Sequence, residues 1–134
     1  LKYGEEKGWT VSQDAFSDER FPKEGFDVVT MVELIEHVPN PDFFLETAFR
    51  LLRSNGLLFL TTPNTNSINR RWLGSDWSVI APPEHITIWS VSGLKKALNR
   101  NNFALQKIRT EGFNPVEIIS RYRSAAKENG APVN

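Results

Sequence analysis

Cysteine is absent from this 134-residue chain. That excludes disulfides, thiolate metal sites and cysteine nucleophiles, and by itself leaves the compartment open. Long apolar runs are missing too. No stretch reaches the roughly 20 residues that a helix needs to cross a bilayer, and the N-terminus has no signal-peptide pattern. Neither sign of charge is in excess: 16 Lys and Arg balance 16 Asp and Glu. This argues against a strong nonspecific hold on nucleic acid. No G-x-G triplet, internal repeat or low-complexity segment occurs. What is present is ordinary for a globular protein, with 40% hydrophobic and 24% charged residues and enough length for one domain with a core.

The chain is organised around Gly25 to Asn64. Phe26 to Met31 is short, apolar and β-branched, the pattern of a strand buried on both faces. Asn40 can cap a helix, Pro41 suits its first turn, and Asp42 complements its N-terminus. Phe44, Leu45, Ala48, Leu51 and Leu52 recur at three- and four-residue spacing and give one apolar face. Gly56, after Asn55, stands where that helix is expected to stop. Leu57 to Thr62 reads as a second buried strand ended by Pro63. Strand, crossover helix and strand in this length predict a parallel βαβ unit, whose ligands bind beyond the carboxyl ends of the strands.

Elsewhere the pattern is plainer. Leu1 to Lys7 reads as a helix end stopped by Gly8, and Trp9 to Ser12 as a short strand. Ser67 to Leu73 predicts a short helix. Ser90 or Ser92 can cap a helix through about Asn101, with Leu94, Ala97 and Leu98 facing in. Ala104 to Thr110 alternates and predicts a strand. Asn114-Pro115 opens a last helix over Val116 to Lys127. Arg70, Arg71, Trp72, Trp77 and Trp89 could line a pocket, or belong to a surface loop anchored by buried tryptophans. Glu46 and Arg50 sit at helical spacing on a solvated face.

The sharpest constellation is Glu33, Glu36, His37 and His85. If the stretch after Met31 makes a helical turn, Glu33 and Glu36 or His37 share a side. His85 arrives from the loop after the second strand, on the same sheet edge. Two carboxylates and two imidazoles can bind a divalent cation such as Mg²⁺, Mn²⁺ or Zn²⁺. Without a metal, His37 or His85 could serve as general base toward a hydroxyl. The plain alternatives are that Glu36 bonds backbone and that the histidines brace their loops.

The segments FDVVTMVELIEHVPNP and LLRSNGLLFLTTPN, continued by PPEHITIWSVSGLKKALNRNNFALQKIRTEGF, resemble class I S-adenosylmethionine-dependent methyltransferases. The branch is that of ubiquinone-biosynthesis O-methyltransferases. The resemblance covers roughly Leu1 to Phe113. It implies an α/β fold, a Rossmann-like and mostly parallel sheet with flanking helices in three layers, lacking the family's first strands. It implies S-adenosylmethionine as cofactor and a small-molecule methyl acceptor, most simply at a hydroxyl oxygen. It places Asp14, with Ala15, against the adenine, although Asp14 also reads as a turn cap. It places Thr30 and Met31 against the methionine portion, although core packing fits a strand-end Met equally. The E-x-x-E-H spacing with a later His is also similar to the metal site of small-RNA 2′-O-methyltransferases.

The family's glycine-rich loop and its ribose-binding acidic residue have no counterpart here. The expectation is a fragment: a partial methyltransferase domain over residues 1–127 and a disordered tail over 128–134. A cytoplasmic setting, no membrane span and a homodimer complete the expectations, with nucleic acid disfavoured. Two other functions stay open: an inactive methyltransferase-like binding module, and an RNA 2′-O-methyltransferase.

Overall fold

The computed structural model describes residues 2–11, 16, 21 and 23–128. Its elements in order are α1 (Lys2–Glu6), β1 (Phe26–Val32), α2 (Pro41–Leu51), β2 (Leu52–Thr61), α3 (Ile68–Leu73), a 3₁₀ turn (Gly74–Asp76), α4 (Val91–Arg100) and α5 (Pro115–Glu128). β1 and β2 pair in parallel, with Val29 beside Leu58 and Met31 beside Leu60. This is the expected βαβ unit. Asn40 caps α2 by accepting from the Phe43 N–H at 3.3 Å, and Pro41 occupies the first turn.

Helices cover one sheet face. Ile35, Val38, Leu45, Ala97 and Leu98 form the buried cluster, with Leu58, Leu60, Phe44, Leu94 and Trp89 packed against it. α4 lies against α2: Arg100 and Asn101 at its end bond Asp42 at the start of α2, at 2.7 Å each. Ser90 caps α4 from the Gly93 N–H at 3.0 Å.

Three expectations need correction. The strands are not buried on both faces, and the three layers are two among the described residues. Val28 and Val32 of β1, with Leu57 and Phe59 on the same face of β2, are 48% to 61% exposed. No described element covers that face. Second, Gly56 does not stop α2, which ends at Leu51. Asn55 takes the left-handed conformation (φ 63) inside β2, and a register shift separates the Phe26–Leu52 pair from Val28–Leu57. Gly56 is instead a point of close approach: a Cβ there would lie 2.9 Å from the Arg53 carbonyl oxygen and 3.2 Å from that of Asp27.

Third, Ala104 to Thr110 forms no strand, and its residues are exposed. It lines an open groove of about 1570 Å³ together with Leu57 to Thr61, and it makes no ladder pairing. Trp9 to Val11 is also irregular, and Ser12 lies outside the described residues. No described helix is long and apolar enough to cross a membrane.

Candidate functional site

The site is built at the carboxyl ends of β1 and β2. Beyond Val32 the chain turns sharply: Glu33 adopts φ 46, and its N–H bonds the Thr61 carbonyl at 3.1 Å. A single turn follows, closed by the His37 N–H on the Leu34 carbonyl at 3.0 Å. This turn drives Ile35 and Glu36 inward, to 0% and 1% exposure. The segment after β2 leaves at Asn64 and returns at Trp89, where the two bridge in parallel. On its way back it lays the N–H groups of Ile86 and Thr87 on the Glu36 carbonyl, at 2.8 and 3.0 Å. That docking brings His85 to His37, with ring centroids 4.6 Å apart.

Glu36 is the centre of the cluster. Its Oε2 accepts from the Thr62 hydroxyl at 2.9 Å, while its Oε1 is buried without a hydrogen-bond partner. His37 Nε2 lies 3.9 Å from that bare oxygen. Both imidazoles are oriented through the other nitrogen. His37 Nδ1 is 2.7 Å from the Glu84 carbonyl, and His85 Nδ1 is 2.6 Å from the Val79 carbonyl. A carbonyl only accepts, so each Nδ1 carries a proton, and in the neutral ring Nε2 is then the atom with the lone pair. Imidazoles held this way are the usual ligands of divalent metals. One donor atom from each of Glu36, His37 and His85 lies within 4.8 Å of the others. The donor set suits Zn²⁺ or Mn²⁺ better than an all-oxygen cation site.

The four expected metal residues are thus not all together. Glu33 is outside the group and exposed, because it precedes the turn instead of sharing it. Thr30 sits on the open face of the sheet, and Met31 packs in the core at 2% exposure, so only its backbone is left to a ligand. Asp14 and Ala15 lie outside the described residues. Among the aromatic and basic residues of the excursion, Trp77 is buried at 6% and Trp72 is open at 73%. Glu46 and Arg50 approach to 4.0 Å on the solvated face of α2.

Sequence reasoning missed the supports. Thr62 was legible as the end of the second strand, before Pro63, yet nothing local ties it to Glu36. The carbonyls of Glu84 and Val79 carry no side-chain signal at all. A second polar group pins the excursion from α5. Asn69 of α3, 3% exposed, donates to the Asn114 carbonyl and to Glu117 Oε2, both at 3.0 Å. Glu117 Oε1 accepts from the Ser78 N–H at 2.9 Å. Burial pushes the Glu117 carboxyl upward, but the Ser78 and Asn69 bonds outweigh it and hold it below the ordinary range.

Comparison with known proteins gives a consistent picture. The family described as "Methyltransferase domain" matches residues 4–108. A ubiquinone biosynthesis O-methyltransferase of Pelagibacter ubique is 31% identical over 104 residues, covering 69% of this chain and 41% of the relative. One from Pasteurella multocida is 42% identical over 53 residues, covering 40% of this chain and 22% of the relative. The chain therefore spans less than half the length of these relatives. A crystal structure from Thermotoga maritima, titled "SAM-dependent methyltransferase, possible histamine N-methyltransferase", superposes with a TM-score of 0.64 at 20% identity, covering 78% of this chain and 50% of that one. At that identity the likeness shows the fold.

Proposed function

This chain belongs to the class I S-adenosylmethionine-dependent methyltransferase domains, and from that premise we propose that it forms the acceptor side of an enzyme that methylates a small molecule at a hydroxyl oxygen, with a divalent cation held by Glu36, His37 and His85. The observation that carries the reading is Glu36 Oε1, a buried carboxylate oxygen without a partner, next to two imidazoles whose Nδ1 atoms are already committed. A buried carboxylate left bare is costly, and a cation removes the cost.

Each residue has a role in this reading. Thr30 and the backbone of Met31, with Asp14 and Ala15, hold the cofactor, which supplies an electrophilic methyl group. Glu36, His37 and His85 would hold the cation, which when bound would act as a Lewis acid and lower the pKa of an acceptor hydroxyl. Where no cation is held, the Nε2 of His85 or His37 is free to take the hydroxyl proton. His85 is favoured, since it comes from the excursion that borders the acceptor side. Thr62 and the 86–87 backbone fix Glu36, so the protein contributes chiefly position. Oxygen is chosen over nitrogen on the printed names of the sequence relatives, and the Thermotoga neighbour names the competing chemistry.

The test uses the protein carrying this chain. S-adenosylhomocysteine is titrated in with and without Mn²⁺, and methyl transfer to a catechol and to an imidazole-bearing amine is compared. Cofactor binding, catechol methylation and a loss of about 100-fold or more in Glu36→Ala are expected, in the range of a lost general-base or metal contribution. Transfer to the amine alone would overturn the oxygen assignment. Absence of cofactor binding in folded protein would leave only a binding module.

A further inference from the structure

The polar network on α5 reaches the chain two peptides before the carbonyl that orients His85. Glu117 Oε1 accepts the Ser78 N–H at 2.9 Å. Two peptides further along, the Val79 carbonyl takes the His85 Nδ1–H at 2.6 Å. The following N–H, of Ile80, bonds the Trp77 carbonyl at 2.8 Å. The 78–80 backbone is therefore fixed on both sides of the one oxygen that orients His85. Glu117 is itself fixed: Asn69 donates to Oε2 at 3.0 Å, and the Asn114 side chain accepts the Glu117 N–H at 3.3 Å. Its carboxyl is held in the ionised form, a strong acceptor for Ser78. A parallel tie runs from Arg121 to Asp76 at 2.8 Å, and it anchors the same helix without touching the 78–80 peptides.

We propose that Glu117 is a positioning residue for His85: through Ser78 and the Val79 carbonyl it holds the imidazole in the Nδ1–H tautomer and presents Nε2 to Glu36. The assignment rests on the cluster described above, and it adds a helix of remote sequence to the site's outer support. Glu117 touches neither substrate nor cation. It acts on the orientation of a residue that does.

The experiment reads the imidazole directly, so that it does not depend on the chemistry assigned to the site. Ring ¹⁵N shifts of His85 are recorded by NMR in the protein carrying this chain, together with the affinity for Mn²⁺ alone. Four proteins are compared: parent, Glu117→Gln, Glu117→Ala and Arg121→Ala. Glu117→Gln keeps an acceptor for Ser78 and should leave the tautomer near parent. Glu117→Ala should give a mixed tautomer and at least a fivefold loss in Mn²⁺ affinity, within the range for losing an outer-shell support. Arg121→Ala should keep the His85 signals of the parent.

Two results would overturn the proposal. One is a Glu117→Ala protein, still helical by circular dichroism, with an unchanged tautomer. The other is an Arg121→Ala protein that shifts the tautomer as far as Glu117→Ala, which would reduce Glu117 to a general docking contact. If the parent binds no Mn²⁺, the cation reading falls, while the tautomer series still decides the role of Glu117.

Discussion

A carboxylate at 1% exposure, with one oxygen on a threonine and the other bare, is a destabilising choice for a core. Its neutral isostere can still accept from Thr62 and brings no formal charge into the core. Glu36→Gln is therefore expected to stabilise the cation-free protein by about 1 kcal/mol, at the low end for relief of a buried charge. The same change should abolish stabilisation by added Mn²⁺. Melting curves in chelator and in Mn²⁺ check both parts, and a Glu36→Gln protein that still gains stability from Mn²⁺ would count against the site. Gly56 gives a second residue-scale prediction. Alanine there would push a methyl against the Arg53 and Asp27 backbone oxygens, which no side-chain rotation can relieve. A loss of about 1–3 kcal/mol is expected for such overpacking, read from urea unfolding.

At the scale of elements, α2 and α4 are joined end to end through Asp42. The Arg100 hydrogen bonds, then that of Asn101, hold its carboxyl below the ordinary value of 3.8. A depressed folded value means that the unfolded chain binds protons more readily in acid. The contribution of Asp42 is therefore complete above that ordinary value and is lost as the pH falls through the lower folded one. Its side chain is 41% exposed, so solvent screening keeps the effect small. Asp42→Asn should cost about 0.5 kcal/mol at neutral pH, and the gap from the parent should close in acid. Stability measured across that range tests the sign. Ser90→Ala removes the cap of α4 and should cost about 1 kcal/mol by the same measurement.

At the scale of the molecule, the uncovered sheet face is the dominant feature. Val28, Val32, Leu57 and Phe59 present adjoining apolar surface, each at 48% exposure or more. Such a patch drives association, and a second copy of the chain presents the same face to it. The chain on its own is expected to bind an apolar dye and to sediment above monomer mass as its concentration rises. The double change Leu57→Thr and Phe59→Thr should reduce both, while retaining β propensity. Unchanged sedimentation in that variant would exclude this face as the cause.

The sequence by itself determined those parts of the protein that are local. Asn40, Pro41, Ser67, Ser90 and Asn114 mark helix starts, because capping and proline geometry act within one turn. The short apolar runs marked both strands of the parallel pair, although β2 begins at Leu52, five residues before the run at Leu57, and the motif residues fixed the family. Glu36, His37 and His85 were legible as a group because both loops leave the same sheet edge. Only the tertiary structure decided that Glu33 stands apart, since a single positive φ at the strand exit turns it away. Only the tertiary structure supplied Thr62, the two orienting carbonyls and Glu117; the bonds of Thr62 to Glu36 and of Glu117 to Ser78 and Asn69 span 26, 39 and 48 residues. It also decided against a strand at Ala104 to Thr110. Alternation prepares a segment for a sheet, but a strand exists only where a neighbour meets its hydrogen bonds, and β2 pairs with β1 and not with this segment.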